Sequence, residues 1–162
     1  KLSMILTNTY YRGWDGWKDL IDGSTSIEEA EKIGQFLFLR VWDTTDFKRK
    51  ERVMKKWLSR MQTEVFLQIC KEIYPLFKPY GVKYPLIKIR NMKSRWGCCQ
   101  PEKKIITLNG KMIAAKREAI EYVVLHEFAH FVHPNHSKAF YGLVEKLMPD
   151  WKERKAMLQG IE

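Results

Sequence analysis

The sequence predicts an α+β protein in which a small antiparallel sheet packs on a long N-terminal helix and on a later helix rich in histidine. Three observations carry this. Val53, Trp57, Met61, Val65 and Ile69 recur every four residues, the apolar stripe of an amphipathic helix. Leu86–Arg90 and Lys104–Leu108 are short β-prone runs, the first alternating apolar and basic, as half-buried strands do. From Lys116 onward, Ala119, Ile120, Val123 and Val124 lead into His126 and Glu127 with helical spacing.

Taken in order, residues 1–44 are the least legible part. Leu2–Leu6 and Phe36–Val41 read as strands, Arg12–Trp17 as a turn, and Ser26–Glu31 as the start of a short helix. Thr44, Thr45 and Asp46 can cap the long helix, which runs to about Tyr74 before Pro75 and Pro79-Tyr80-Gly81 break it. After the strand Leu86–Arg90 comes a loop at Ser94–Cys98, and the close spacing of the next strand suggests an antiparallel pair. The histidine helix should end near Val132, because Pro134 disfavours helical geometry at His133. A helix over about Ser137–Leu147 follows, and a last one starts after Pro149 with Asp150 as its cap. No repeat, linker or low-complexity tract interrupts the chain. The expectation is one domain over 1–162, with 45–162 as its catalytic core.

The chain has 162 residues, 45% of them apolar, and a formal net charge of +10. That charge suits acidic partners, including nucleic acid, although the cations are spread among apolar residues as on solvated faces. Three cysteines, two of them adjacent, do not make a disulfide framework and point to a reducing compartment. No apolar run reaches the roughly 18–20 residues of a membrane span, and no signal-peptide core is recognisable. The expected location is the cytoplasm, without membrane contact.

All four histidines, His126, His130, His133 and His136, fall within eleven residues. His126-Glu127-Phe128-Ala129-His130 is the H-E-x-x-H pattern of a zinc hydrolase. Histidines four apart on a helix share a face, so both rings can reach one metal ion. Glu127 lies about 100° further round, where it can act on a bound water. A catalytic zinc needs a third protein ligand. His133 lies about 10 Å from His126 along an unbroken helix, and three rings in a row cannot converge tetrahedrally. His136, beyond the break at Pro134-Asn135, can return from another direction and is the expected third ligand, with Glu145 as runner-up. His133 then reads as a helix-end histidine or a group that supports a ligand from behind. Arg95, Tyr122 and Tyr141 are candidates to stabilise the oxyanion. The expected chemistry is hydrolysis with one zinc per chain and Glu127 as general base.

Further motifs extend the pattern: Arg90-Asn91-Met92-Lys93-Ser94-Arg95-Trp96-Gly97-Cys98-Cys99, Ile106-Thr107-Leu108-Asn109, Asn135-His136-Ser137-Lys138-Ala139-Phe140 and Pro149-Asp150-Trp151-Lys152. Together with the histidine helix these resemble the YgjP-like zinc metallopeptidases, bacterial relatives of the SprT and WLM-type zincins, over residues 47–158. The resemblance implies a minimal zincin-like fold and a peptide or protein substrate. It also implies zinc held by His126, His130 and His136, and Glu127 as the base. It places Cys98 where the family has serine, and it likens the strand Lys104–Leu108 to the zincin edge strand that pairs with an extended peptide. The alternative activity is a metal-dependent nucleotide (UTP-type) pyrophosphatase, against which stand the missing Gly-rich phosphate loop and acidic magnesium cluster. A nucleic-acid-binding module with a structural zinc is disfavoured by Glu127, since such sites are closed and need no base.

Overall fold

The structure, a computed structural model, describes residues 29–33, 36–40 and 47–158. The chain falls into two compact units, Lys1–Arg60 and Met61–Glu162. In the first, strands β1 (Glu29–Ile33) and β2 (Phe36–Arg40) pair antiparallel, with Glu29 opposite Arg40 and Ile33 opposite Phe36. The strand expected over Phe36–Val41 is therefore present. The helix expected from Ser26 to Glu31 is not, since Glu29–Glu31 belong to β1: the local capping pattern is outweighed by pairing with a strongly β-prone run. The strand Leu2–Leu6, the turn Arg12–Trp17 and the cap Thr44–Asp46 lie outside the described residues.

Helix α1 (Phe47–Ile73) runs through the boundary between the units. Its predicted stripe holds: Val53, Trp57 and Ile69 are buried. A four-residue repeat drifts by about 40° per step around a 3.6-residue helix. By the last turns Phe66, Cys70 and Ile73 have joined the buried face. Pro75 does not end the helical path outright. The chain tightens into a 3₁₀ segment, Tyr74–Tyr80, and stops at Gly81, whose φ of 75° is left-handed. Glycine takes that conformation without the steric cost a side chain would add.

The second unit holds a three-stranded sheet of β3 (Leu86–Arg90), β4 (Gly97–Gln100) and β5 (Ile105–Asn109), in the order β3-β5-β4. Here two expectations are corrected. β3 and β5 are parallel, Leu86 opposite Ile105 and Arg90 opposite Asn109, because a third strand intervenes where a loop was expected. β4 reverses through Pro101–Lys103 and pairs antiparallel with β5. β5 is consequently the central strand, and the free edge on that side of the sheet belongs to β4, not to Lys104–Leu108.

Helix α2 (Arg117–Ala129) follows, then α3 (Lys138–Leu147) and α4 (Trp151–Ala156). α2 ends three residues earlier than expected. Phe131 N–H and Val132 N–H bond to carbonyls three residues back, the tight turns that finish many helices. The hydroxyl of Ser137 caps α3 by accepting from Phe140 N–H. Asp150 precedes α4 but makes no side-chain cap; its carboxylate accepts instead from Arg154 Nε at 2.8 Å. The core of this unit gathers Phe66, Ile69 and Phe77 with Ile106 and Leu108 of β5, Val124, Leu125 and Phe128 of α2, and Phe140 and Val144 of α3. No described helix is long and apolar enough to cross a membrane.

Candidate metal centre

The last turn of α2 is apolar except where it carries chemistry. Leu125, Phe128 and Ala129 are fully buried, and between them stand His126, Glu127 and, as the helix's C-terminal cap, His130. Past Pro134 the chain turns back, with Ser137 N–H bonding to Asn135 carbonyl at 2.7 Å. That turn delivers His136 from outside the helix. His126 Nε2 and His136 Nε2 stand 2.9 Å apart, and the donor atoms of His126, His130 and His136 all lie within 4.8 Å of one another. The ring centroids form a nearly equilateral triangle of 4.9, 4.8 and 4.7 Å. Beneath it, fully buried Phe140 of α3 is 4.9, 4.7 and 4.9 Å from the three rings.

The outward nitrogens are also engaged. His126 Nδ1 faces the Tyr122 hydroxyl at 3.5 Å, and His130 Nδ1 faces the His133 carbonyl oxygen at 3.4 Å. Nδ1 as the protonated nitrogen leaves the Nε2 lone pairs free for a metal. Burial, with the neighbouring His130 and His136, presses the His126 ring down to about 3. His130 is lowered as well, by burial and then by His136. Both are neutral imidazoles at pH 7, the form that ligates. Three imidazoles converging on one point suit a zinc-type ion better than magnesium or calcium, which prefer oxygen donors.

Glu127, next to His126 on the helix, lies against β4 at Gly97. It is one of two buried polar side chains among the described residues, at 5% exposure. Burial raises its carboxyl to about 7, against the opposing pull of a hydrogen bond from the Cys99 backbone and the charge of Arg95. A carboxyl near 7 is matched to taking and returning a proton at neutral pH.

The other expected residues sort clearly. His133 contributes its backbone carbonyl to His130, and its ring is not part of the donor cluster. Glu145 is exposed on α3 and does not join that cluster either. Arg95, exposed, points a guanidinium nitrogen at Cys98 Sγ, 3.8 Å away. Tyr141 lays its ring over His136 at 6.1 Å and 26°. Trp151, which the sequence offered only as part of the motif 149–152 and without a role, stacks on Tyr141 at 5.3 Å and on Tyr122 at 6.1 Å. The wall of aromatic rings behind the histidines is thus closed by α4. Glu121 of α2 clamps that helix by accepting from Arg154 Nη1 at 2.5 Å. Phe140 likewise stood in the sequence only as the end of the motif 135–140, with no role assigned to it.

Comparison with known proteins follows the same lines. No curated protein matches the sequence. A solved structure, the crystal structure of the metallopeptidase zymogen of Pyrococcus abyssi abylysin, is similar. The TM-score is 0.52 with 22% identity, over 57% of this chain and 90% of that one. At that identity the likeness is one of fold, and it supports the α+β, minimal zincin-like architecture. The family model described as YgjP-like, metallopeptidase domain, matches residues 9–160. With nearly the whole sequence inside that match, the chain belongs to the YgjP-like metallopeptidase family.

Proposed function

We propose that this protein is a zinc-dependent peptidase in which His126, His130 and His136 hold one metal ion and Glu127 is the general base. The observation that carries the reading is the convergence of three imidazoles within 4.8 Å beside a buried carboxylate on the same helix. Zinc, when bound there, would acidify water toward a pKa of about 7 and polarise a carbonyl. Glu127 takes the proton from the attacking water and passes it to the leaving amine. The free edge of β4 offers backbone groups to an extended peptide, a mode indifferent to side-chain sequence. Tyr122 supports His126 from behind through its hydroxyl, and Tyr141 buttresses His136 by stacking. The match over 9–160 supports reading residues 1–162 as one catalytic domain. Three free cysteines agree with a reducing, cytoplasmic setting.

The test is metal content by mass spectrometry on wild type, His136→Ala and Glu127→Gln, with hydrolysis of fluorescein-labelled casein and of UTP assayed in parallel. One zinc per chain, weakened by His136→Ala and retained in an inactive Glu127→Gln, is the expected result. Turnover of UTP and not casein would replace the peptidase reading with a nucleotide pyrophosphatase.

A further inference from the structure

Gly97 opens β4, directly over α2. Among the described residues, positive φ occurs only at Gly81 and Lys104, so the backbone at position 97 makes no conformational demand for glycine. The demand is spatial. A Cβ on Gly97 would lie 2.4 Å from Glu127 Oε1 and 2.7 Å from its Cδ and Cγ. Glu127 lies under β4 and cannot step aside freely, being 5% exposed and hydrogen-bonded by the Cys99 backbone.

β4 cannot step aside either, and the reason is Asn109. This side chain, 2% exposed, is fully used. Its Nδ2 donates to the carbonyls of Met92 and Arg95, both at 2.9 Å. Its Oδ1 accepts from Met92 N–H at 3.3 Å and Lys111 N–H at 3.2 Å. Its own N–H bonds to Trp96 carbonyl at 2.9 Å. Four of these five hydrogen bonds tie Met92, Arg95 and Trp96 of the loop between β3 and β4 to the end of β5. The last of them lies one residue before Gly97.

We propose that Asn109 and Gly97 are positioning residues for Glu127. Asn109 fixes the height at which β4 enters the sheet, and the bare Cα of Gly97 leaves a slot that fits the carboxylate in one placement. This rests on Glu127 being the base, but the contact itself can be tested without turnover.

Gly97→Ala is made in the wild-type and Glu127→Ala backgrounds, and urea unfolding is followed for all four proteins without metal. The expected result is a lowered midpoint in the wild-type background and none in Glu127→Ala, where the colliding atoms are gone. An equal drop in both would overturn the proposal. In zinc-loaded enzyme on fluorescein-labelled casein, Gly97→Ala should lower kcat by about 100-fold, as displacements of about 1 Å do. KM and zinc affinity should stay within about threefold, because the atoms nearest the added Cβ all belong to Glu127 and none to a histidine. Asn109→Asp, which turns a donor toward two carbonyls into an acceptor, should show the same split between kcat and KM. Wild-type kcat in both variants overturns the proposal. Full activity in Glu127→Gln would instead remove the base itself, and the unfolding cycle tells the two failures apart.

Discussion

Replacing Phe140 by alanine separates the core's contribution to stability from its contribution to the metal centre. Phe140 is fully buried and its ring meets all three histidine rings at under 5 Å. Truncating such a phenylalanine costs about 3–5 kcal/mol through lost burial and the cavity left behind. The upper end applies here, since the rings above the cavity belong to a helix end and a turned loop that cannot easily collapse into it. A domain in the middle of the usual range, stable by about 10 kcal/mol, survives that loss. Aromatic ring pairs contribute about 0.5–1.5 kcal/mol each, so three such contacts are worth roughly 1.5–4.5 kcal/mol in holding the histidines where they converge. Losing even the low end of that orientation weakens zinc binding by at least about tenfold. Urea unfolding with chelator present gives the first number, and competition with a chromophoric zinc chelator gives the second. Stability lost as expected with zinc affinity unchanged would refute the reasoning. The rings would then be held by the backbone alone.

Two other outcomes are expected. Tyr122→Phe keeps the stack on Trp151 but deletes the oxygen facing His126 Nδ1, and should weaken zinc binding by about 10–100-fold; unchanged affinity in the competition assay would show that the hydroxyl does not support the ligand. Burial favours the neutral thiols of Cys70 and Cys99 and pushes both up to about 12. At pH 8 only about one in 10⁴ of either is thiolate. Ellman's reagent should therefore find a single fast thiol, Cys98, in the native protein. The other two should react about tenfold faster per pH unit as pH rises toward 12, and at once on unfolding. Three fast thiols at pH 8 would contradict the burial of Cys70 and the partial burial of Cys99.

The helices and the clustering of His126, His130 and His136 were legible because each rests on local rules. A stripe of period near 3.6 marks α1 and α2, Ser137 caps α3, and Pro134 makes a straight row of histidines untenable, which singles out His136. The sheet was not legible in the same way. β4 reads Gly-Cys-Cys-Gln, too short and too weakly patterned to announce a strand. Its insertion is what turns β3 and β5 from an antiparallel pair into a parallel one. The edge assigned to Lys104–Leu108 moved for the same reason. The acidic run Glu29–Glu31 has helical composition, and only its partner Phe36–Arg40 explains why it is extended. Packing residues such as Phe140 and Trp151 carry no signature distinguishing them from ordinary core until the elements are assembled.

The position of His136 has a consequence for how the molecule could sense its own metal. His136 immediately precedes Ser137, the residue that caps α3, and Phe140 sits one turn inside that helix. Ligand, cap and floor thus belong to one short stretch of chain, so an ion drawing His136 toward α2 also fastens the first turn of α3. With the proposed ligand set, metal occupancy would add a latch between two helices that already share a core. Amide exchange at the start of α3 should slow on loading far more than exchange in the middle of α1, which makes local breathing of one helix the readout of whether the enzyme is armed.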